Sequence, residues 1–328
     1  MHSLFSLSSK TVLVSGANGF VGRPLCAELL RQGQSVRAAV RLARPDSLPI
    51  ENIETVSIGE INGETDWTEA LQGIKVVVHL AARVHVMKDN AADPLDELRK
   101  VNVEGAWNLA RQACDAGVQR FIFISSIKVN GESTPLGQPY TPEDRPAPMD
   151  AYGISKSEAE YVLRQLADEN GMEMVIIRPP LVYGPGVKAN FHSMMHWLNK
   201  SVPLPLGAIH NKRSFVALDN LIDLIVTCID HPAAANQTFL AGDGEDLSTT
   251  ELLQRLGQAL GKPAKLFSMP IRMLKIGAIL LGKRDMAQRL CNSLQVDISK
   301  ACDLLGWQPP VTVDEALKKT AADFLQKA

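Results

Sequence analysis

The sequence predicts a doubly wound α/β fold. A parallel sheet covered by helices on both faces is followed by a smaller, mostly helical C-terminal lobe. Three observations carry this. Short Val/Ile-rich runs alternate with helix-period segments through the first half, the pattern of strands buried on both faces. A glycine-rich turn directly follows the first of those runs. The length of 328 residues, with 45% hydrophobic and 21% charged residues, suits two globular domains or one enlarged α/β domain.

The elements read as follows. Thr11–Ser15 (TVLVS) is the first buried strand, and a helix runs from the glycine turn to about Arg31. Ser35–Val40, Ile53–Ile58 and Lys75–Leu80 are the second to fourth strands. Arg120–Ser125 and Met174–Arg178 are the fifth and sixth, each after a helical stretch. Beyond Arg178, Pro and Gly cluster at Pro179–Gly186 and Pro203–Gly207, and helical patterns dominate. One strand signal stands alone at Thr238–Ala241. Residues 1–180 are expected to form the nucleotide-binding domain, with a return segment near 214–242. The rest of 181–328 is expected to cover the carboxyl ends of the strands.

A net charge of −2 gives no global electrostatic reason to bind nucleic acid or an anionic membrane. Five cysteines without CxxC spacing (Cys26, Cys114, Cys228, Cys291, Cys302) are expected as reduced thiols in a cytoplasmic protein. The first residues, Met1 to Leu7, lack the pattern of a signal peptide. The most membrane-like stretch, Ile276 to Gly282, is closed off by Lys275 and Lys283. It falls far short of the ~20 apolar residues that span a bilayer, so a packed or interfacial helix is expected.

After the first strand the chain reads Gly16-Ala17-Asn18-Gly19-Phe20-Val21-Gly22. In GxxGxxG the first Gly permits the tight turn, the second lets backbone approach a pyrophosphate, and the third lets helix pack on strand. This is a Rossmann dinucleotide turn. The second strand ends without the acid that holds the ribose of NAD, and Arg37, Arg41 and Arg44 cluster there. Guanidinium groups bind a 2′-phosphate, so NADP is the expected cofactor, with NAD possible.

Tyr152 and Lys156 form YxxxK, which on a helix puts both side chains on one face. An ammonium beside the phenol is expected to lower its pKa and make a general acid/base. Ser125-Ser126 ends the fifth strand, at the ligand edge of such a sheet. His192 and His196 are four apart, but Ser193 replaces the acid of a zinc HExxH motif, so no metal is expected. His79 reads as a core histidine. Arg83, His85 and Lys128 lie just beyond strand ends, either as solvated loop charges or facing a substrate.

The sequence resembles the extended short-chain dehydrogenase/reductase family, in its NAD-dependent epimerase/dehydratase branch. The likeness spans nearly the whole chain. It includes Val78-His79-Leu80-Ala81-Ala82, Val101-Asn102-Val103-Glu104-Gly105, and Ser125 to Gly131 before the YxxxK. Further on it includes Arg178-Pro179-Pro180-Leu181-Val182-Tyr183-Gly184-Pro185-Gly186 and Arg213-Ser214-Phe215. Asp297-Ile298-Ser299-Lys300-Ala301 and Leu305-Gly306-Trp307 complete it.

The resemblance implies catalytic roles for Ser126, Tyr152 and Lys156. It implies cofactor contacts from Gly16, Gly19, Phe20, Val21, Gly22, Arg41, Ala81, Ala82, Asn102 and Pro179, with Tyr152 and Lys156. Glu60-Ile61 stands where relatives carry Asp-Leu at the adenine. Arg213 matches the arginine that grips a nucleotide diphosphate. Asn190 is a second candidate, and Leu181 replaces an asparagine found in some relatives. Arg83 and Lys128 are candidates for the sugar. The resemblance also implies a homodimer.

Ile127-Lys128 replaces the Asp-Glu pair of 4,6-dehydratases, so dehydration is not expected. The strings Leu80 to Met87 and Ser125 to Glu132 look most like bacterial enzymes that reduce UDP-4-keto-6-deoxy-N-acetylglucosamine for surface polysaccharide. A UDP-sugar 4-epimerase is the alternative, and a non-catalytic NADP sensor ranks below both.

Overall fold

Thr11–Ser15 forms β1, and its Val12, Leu13 and Val14 are fully buried because helices cover both faces of the sheet. In this computed structural model, residues 10–42, 50–84, 93–280 and 284–327 are described. They fall into two units. The first comprises the chain up to residue 130, 146–178 and 225–239; the second comprises 131–145, 179–224 and 240 onward.

In the first unit α1 (Gly22–Arg31) leads to β2 (Ser35–Val40) and β3 (Glu54–Ser57). Then come α2 (Thr68–Leu71), β4 (Val76–His79), α3 (Pro94–Arg99), α4 (Ala106–Asp115) and β5 (Arg120–Ile124). The long helix α5 (Ala151–Asn170) precedes β6 (Glu173–Arg178). The sheet has the order β3-β2-β1-β4-β5-β6-β9, with the late strand Thr238–Leu240, β9, at its edge. β1 pairs in parallel with both β2 and β4, so the strand order reverses there, the place where such sheets open a crevice for ligands. The core joins Leu13, Val77, Phe121 and Ile176 of the strands to Ala106, Ala110, Ala159 and Leu163 of α4 and α5. Small side chains on those helices bring them close to the sheet.

Between α3 and α4 the helix widens into a π-turn over Lys100–Gly105, a deformation often found at functional sites. Gly105 sits there because a Cβ would lie 2.6 Å from Cγ2 of Ile61.

The second unit holds β7 (Leu181–Tyr183), α6 (Ala189–Asn199), β8 (Arg213–Ala217) and the start of α7 (Leu218–Asp230). After β9 come β10 (Asp246–Leu247), α8 (Thr249–Ala259), α9 (Ile271–Leu280), α10 (Arg284–Cys291), α11 (Ser299–Leu305) and α12 (Val313–Lys327). β10, β8 and β7 form a small sheet, with β7 and β8 parallel and β10 antiparallel to β8. Helical patterning alone did not announce this sheet. The strand signal at 238–241 does not stand alone either, for β9 completes the first sheet. The segment returning to the first unit is 225–239, shorter than the 214–242 read from sequence. The third and fourth strands each lose a residue at both ends, although Lys75 and Leu80 still donate backbone bonds to β1 at 3.0 and 3.3 Å.

Candidate active site

The turn between β1 and α1 is built by its glycines. Gly16 has φ +69°, and a Cβ there would lie 2.9 Å from the Ala81 nitrogen. A Cβ on Gly22 would lie 2.2 Å from the Gly16 carbonyl oxygen, so only glycine lets α1 start this close to the strand. The Gly19 N–H donates to the Gly16 carbonyl at 2.9 Å. Val21 caps α1 without a side-chain hydrogen bond, and no acid sits in the first turn. The positive helix end is therefore open to an anion, with half-buried Phe20 and Val21 beside it. This cradle fits the pyrophosphate of a dinucleotide.

The basic cluster at the second strand divides. Arg37 is committed to structure: its guanidinium pairs with Glu54 at 2.8 Å and donates to the carbonyls of Ala70 (3.1 Å) and Gln72 (2.7 Å). Arg44 lies outside the described residues, as does His85. Arg41 is exposed just past β2, its carbonyl held by Ser57 Oγ (3.2 Å) and the Gly59 N–H (3.1 Å).

Other candidates lie in or beside this unit. Glu60 is exposed, and its carbonyl accepts from Thr65 Oγ1 at 2.8 Å, whereas Ile61 is packed in the core. Ala81 and Ala82 are half-buried after β4, and the Ala81 N–H donates to Ser15 Oγ at 3.4 Å. Pro179 is buried directly after β6. Asn102, on the π-turn, is buried as a brace. Its Oδ1 accepts from the Arg83 N–H at 2.8 Å, and its Nδ2 donates to the Arg83 carbonyl and Ser155 Oγ, each at 3.0 Å. Arg83 also pairs with Glu97 at 3.4 Å. His79 is fully buried, with Nδ1 bonded to Ser15 Oγ at 2.6 Å and its ring stacked on Phe123. Burial pushes its pKa down to about 3, so it is a neutral core histidine.

The catalytic candidates gather at the end of β5 and the start of α5. Ser126 is half-buried, and its Oγ accepts from the Lys128 N–H at 3.3 Å. Asp150 caps α5, one carboxylate oxygen taking the Gly153 N–H at 2.8 Å and the other pairing with Lys128. Gly153 admits the loop, since a Cβ there would lie 2.8 Å from the Lys128 carbonyl oxygen. Tyr152 stands in the first turn of α5, and Lys156 one turn on is fully buried. The Lys156 ammonium donates to the Ile124 carbonyl at 2.8 Å and lies 4.4 Å from the centre of the Phe123 ring.

The electrostatics differ from the sequence expectation. Burial, with Asp150 close by, pushes the Tyr152 phenol up to about 12. Burial lowers Lys156 to about 7, and Glu160 only partly opposes this. A lysine close to neutral cannot supply the full charge that would pull the phenol down, so Tyr152 is held as an acid in the protein alone.

Reading the sequence did not single out Glu160. Ser125 Oγ donates to it at 2.5 Å, and Arg178 clasps it through bonds of 2.9 and 2.6 Å. Arg178 also donates to Asn130 Oδ1 at 3.0 Å. The available signal was spacing, because Glu160 follows Lys156 by four residues on the same helix.

In the second unit, Arg213 opens β8 and donates to the Arg289 and Asn292 carbonyls at 3.0 and 3.1 Å. Its pKa is lowered by burial and by the nearby Arg289, while Glu132 opposes. The two guanidinium groups lie near enough to repel each other, and Arg289 was not picked out from sequence. Asn190 is exposed in the first turn of α6, and Leu181 is exposed on β7.

Comparison with known proteins agrees with this geometry. Residues 12–242 match the model of the NAD dependent epimerase/dehydratase family. A UDP-glucose 4-epimerase of Vibrio cholerae is 53% identical over 97% of this chain and 96% of its own length. One from Mycolicibacterium smegmatis is 30% identical over 96% and 99%. The UDP-glucuronic acid 4-epimerase of Bacillus cereus, solved with NAD, superposes with a TM-score of 0.78 at 22% identity, covering 97% of this chain and 99% of that one. The glycine cradle, strand-end serine and YxxxK helix thus sit on a shared fold, and the chain is an enzyme of the NAD-dependent epimerase/dehydratase family, within the extended short-chain dehydrogenases/reductases.

Proposed function

We propose that this enzyme inverts C4 of a UDP-hexose and retains NAD through the cycle. The observation that carries this reading is the 53% identity, along nearly the full chain, to a UDP-glucose 4-epimerase. Two features of the site support it. Ile127-Lys128 after Ser126 offers no acid for dehydration, and Lys128 is paired with Asp150. Arg37 is committed to Glu54 and to carbonyls, which leaves Arg41, among the described residues of that cluster, to meet a 2′-phosphate.

Bound NAD would supply reversible hydride exchange at C4 of the sugar. Tyr152 would remove the proton from the sugar O4 hydroxyl and give it back to that oxygen. Ser126 would hydrogen-bond the same oxygen through each change of charge. Lys156, once fully protonated, would favour the phenolate form of Tyr152. Gly16, Gly19 and Gly22 would hold the cofactor phosphates, and Arg213 with Arg289 would bind the UDP diphosphate. Asn102 holds the Arg83 backbone and Asp150 pairs with Lys128, and the two cationic side chains are proposed to face the sugar.

The second reading is net reduction of a UDP-4-keto sugar with NADPH, favoured by Arg41 in place of an acid at the end of β2. One experiment separates the two. The enzyme is given UDP-glucose or UDP-N-acetylglucosamine with no added cofactor, and then with NAD. Interconversion of the C4 epimers without net change at the nicotinamide absorbance is expected. Stoichiometric NADPH consumption with a UDP-4-keto-6-deoxy-N-acetylhexosamine, and no epimerisation of either sugar, would overturn the proposal.

A further inference from the structure

The stretch from Lys262 to Arg284 differs in charge from the rest of the molecule. It contains Lys262, Lys265, Arg272, Lys275, Lys283 and Arg284 and no acidic residue, in a chain of net charge −2. Its middle is apolar and turned outward. Phe267 is 47% exposed, Ile271 38%, Met273 59% and Ile276 58%. Met273 and Ile276 are one turn apart on α9, with Arg272 exposed beside them and Lys265 exposed in the loop before. A helix of a soluble domain ordinarily turns such side chains inward.

Its length indicates how this surface can be used. Among the described residues, α9 has ten. That is about 15 Å at 1.5 Å per residue, half of a ~30 Å hydrocarbon core. No helix among the described residues is long and apolar enough to cross a membrane. A short helix with exposed apolar side chains, in a stretch whose charges are all cations, has the composition of one lying in a bilayer interface. Basic side chains meet lipid phosphates while Met, Ile and Phe enter the acyl boundary. A second copy of this chain is a poorer occupant, because a self-complementary contact would set the exposed Lys265 and Arg272 against the same cations of the other copy.

We infer that α9 and the loop before it, residues 265–276, dock the protein on the surface of an anionic lipid bilayer, with the helix axis in the membrane plane. This goes beyond the catalytic reading and does not depend on it.

The test is co-sedimentation of the full chain with vesicles of phosphatidylglycerol and phosphatidylcholine, against vesicles of phosphatidylcholine alone, at low and high salt. Binding to the anionic vesicles that weakens with salt is expected. Lys265→Glu with Arg272→Glu should weaken it at least 25-fold, about fivefold for each cation lost near the surface. Met273→Glu with Ile276→Glu should abolish it at unchanged melting temperature. If that pair fails to fold, the charge-reversed pair decides. The proposal is overturned if the wild type does not sediment with anionic vesicles, or if both variant pairs sediment as it does. It is also overturned if the variants change only the mass of the protein in solution, which would make the face a contact between copies.

Discussion

Tyr152 and Lys156 illustrate what spacing reveals and what it leaves hidden. Their placement on one face of a helix was legible four residues apart. Their charge was not, because it depends on burial that only the packed sheet creates. Phe123, the Ile124 carbonyl and Glu160 reach Lys156 from positions distant in sequence or one turn away. Replacing Tyr152 with Phe should leave the melting temperature and cofactor binding near wild type while kcat falls by about 10²- to 10⁴-fold, measured by an epimer assay. Lys156 allows a pH test. Its folded pKa, about 7, lies below its ordinary value of 10.5. Between those values the unfolded chain holds a proton that the folded protein lacks, so this residue adds stability as pH rises through that window. At pH 6 the buried charge is at its most costly. In the protein without cofactor, Lys156→Met should therefore raise the melting temperature relative to wild type at pH 6, and the gap should shrink by pH 9.5. A gap that does not change with pH would place the lysine in a wetter site.

Most strands of the first sheet were readable because each is a continuous apolar run. The strands of the small sheet were not. β7 and β10 have three and two residues and adjoin Pro- and Gly-rich segments, so no window long enough to show a period exists there. At the start of α5, the Gly153 requirement was equally invisible, for it arises from a carbonyl contributed by Lys128. Gly153→Ala should push that carbonyl or tilt the helix. A loss of about 1–3 kcal/mol in chemical denaturation and a fall in kcat are expected together. Gly22→Ala acts one element earlier. Its methyl group would meet the Gly16 carbonyl, so a thermal shift on adding NAD should be lost first.

Across the first unit, one buried ion pair ties three segments together. Arg178 ends β6, Glu160 lies on α5, and both are almost fully enclosed, with Ser125 and Asn130 completing the hydrogen bonds. Glu160→Ala leaves a buried guanidinium without its counter-charge and should cost about 3–5 kcal/mol. Glu160→Gln, which keeps hydrogen-bonding atoms, should cost less, with urea melts as the measurement. At this scale the sequence conveyed the doubly wound plan but not its seams. Which distant carbonyls an arginine would satisfy depends on chain closure rather than on local pattern.

Arg120, the first residue of β5, donates to the carbonyls of Cys228 (2.7 Å), Ile229 (2.9 Å) and His231 (3.0 Å) at the end of α7, and β9 follows soon after as the edge strand. The first unit is thus finished by residues made more than a hundred positions later. On the ribosome, β6 emerges with an open edge and waits, through the synthesis of residues 179–237, for its neighbour. A gene fragment cut at residue 180 would strand the nascent sheet in that state, and the half that looks autonomous on paper would be harvested as aggregate. Only a chain that continues through β9 restores the missing edge.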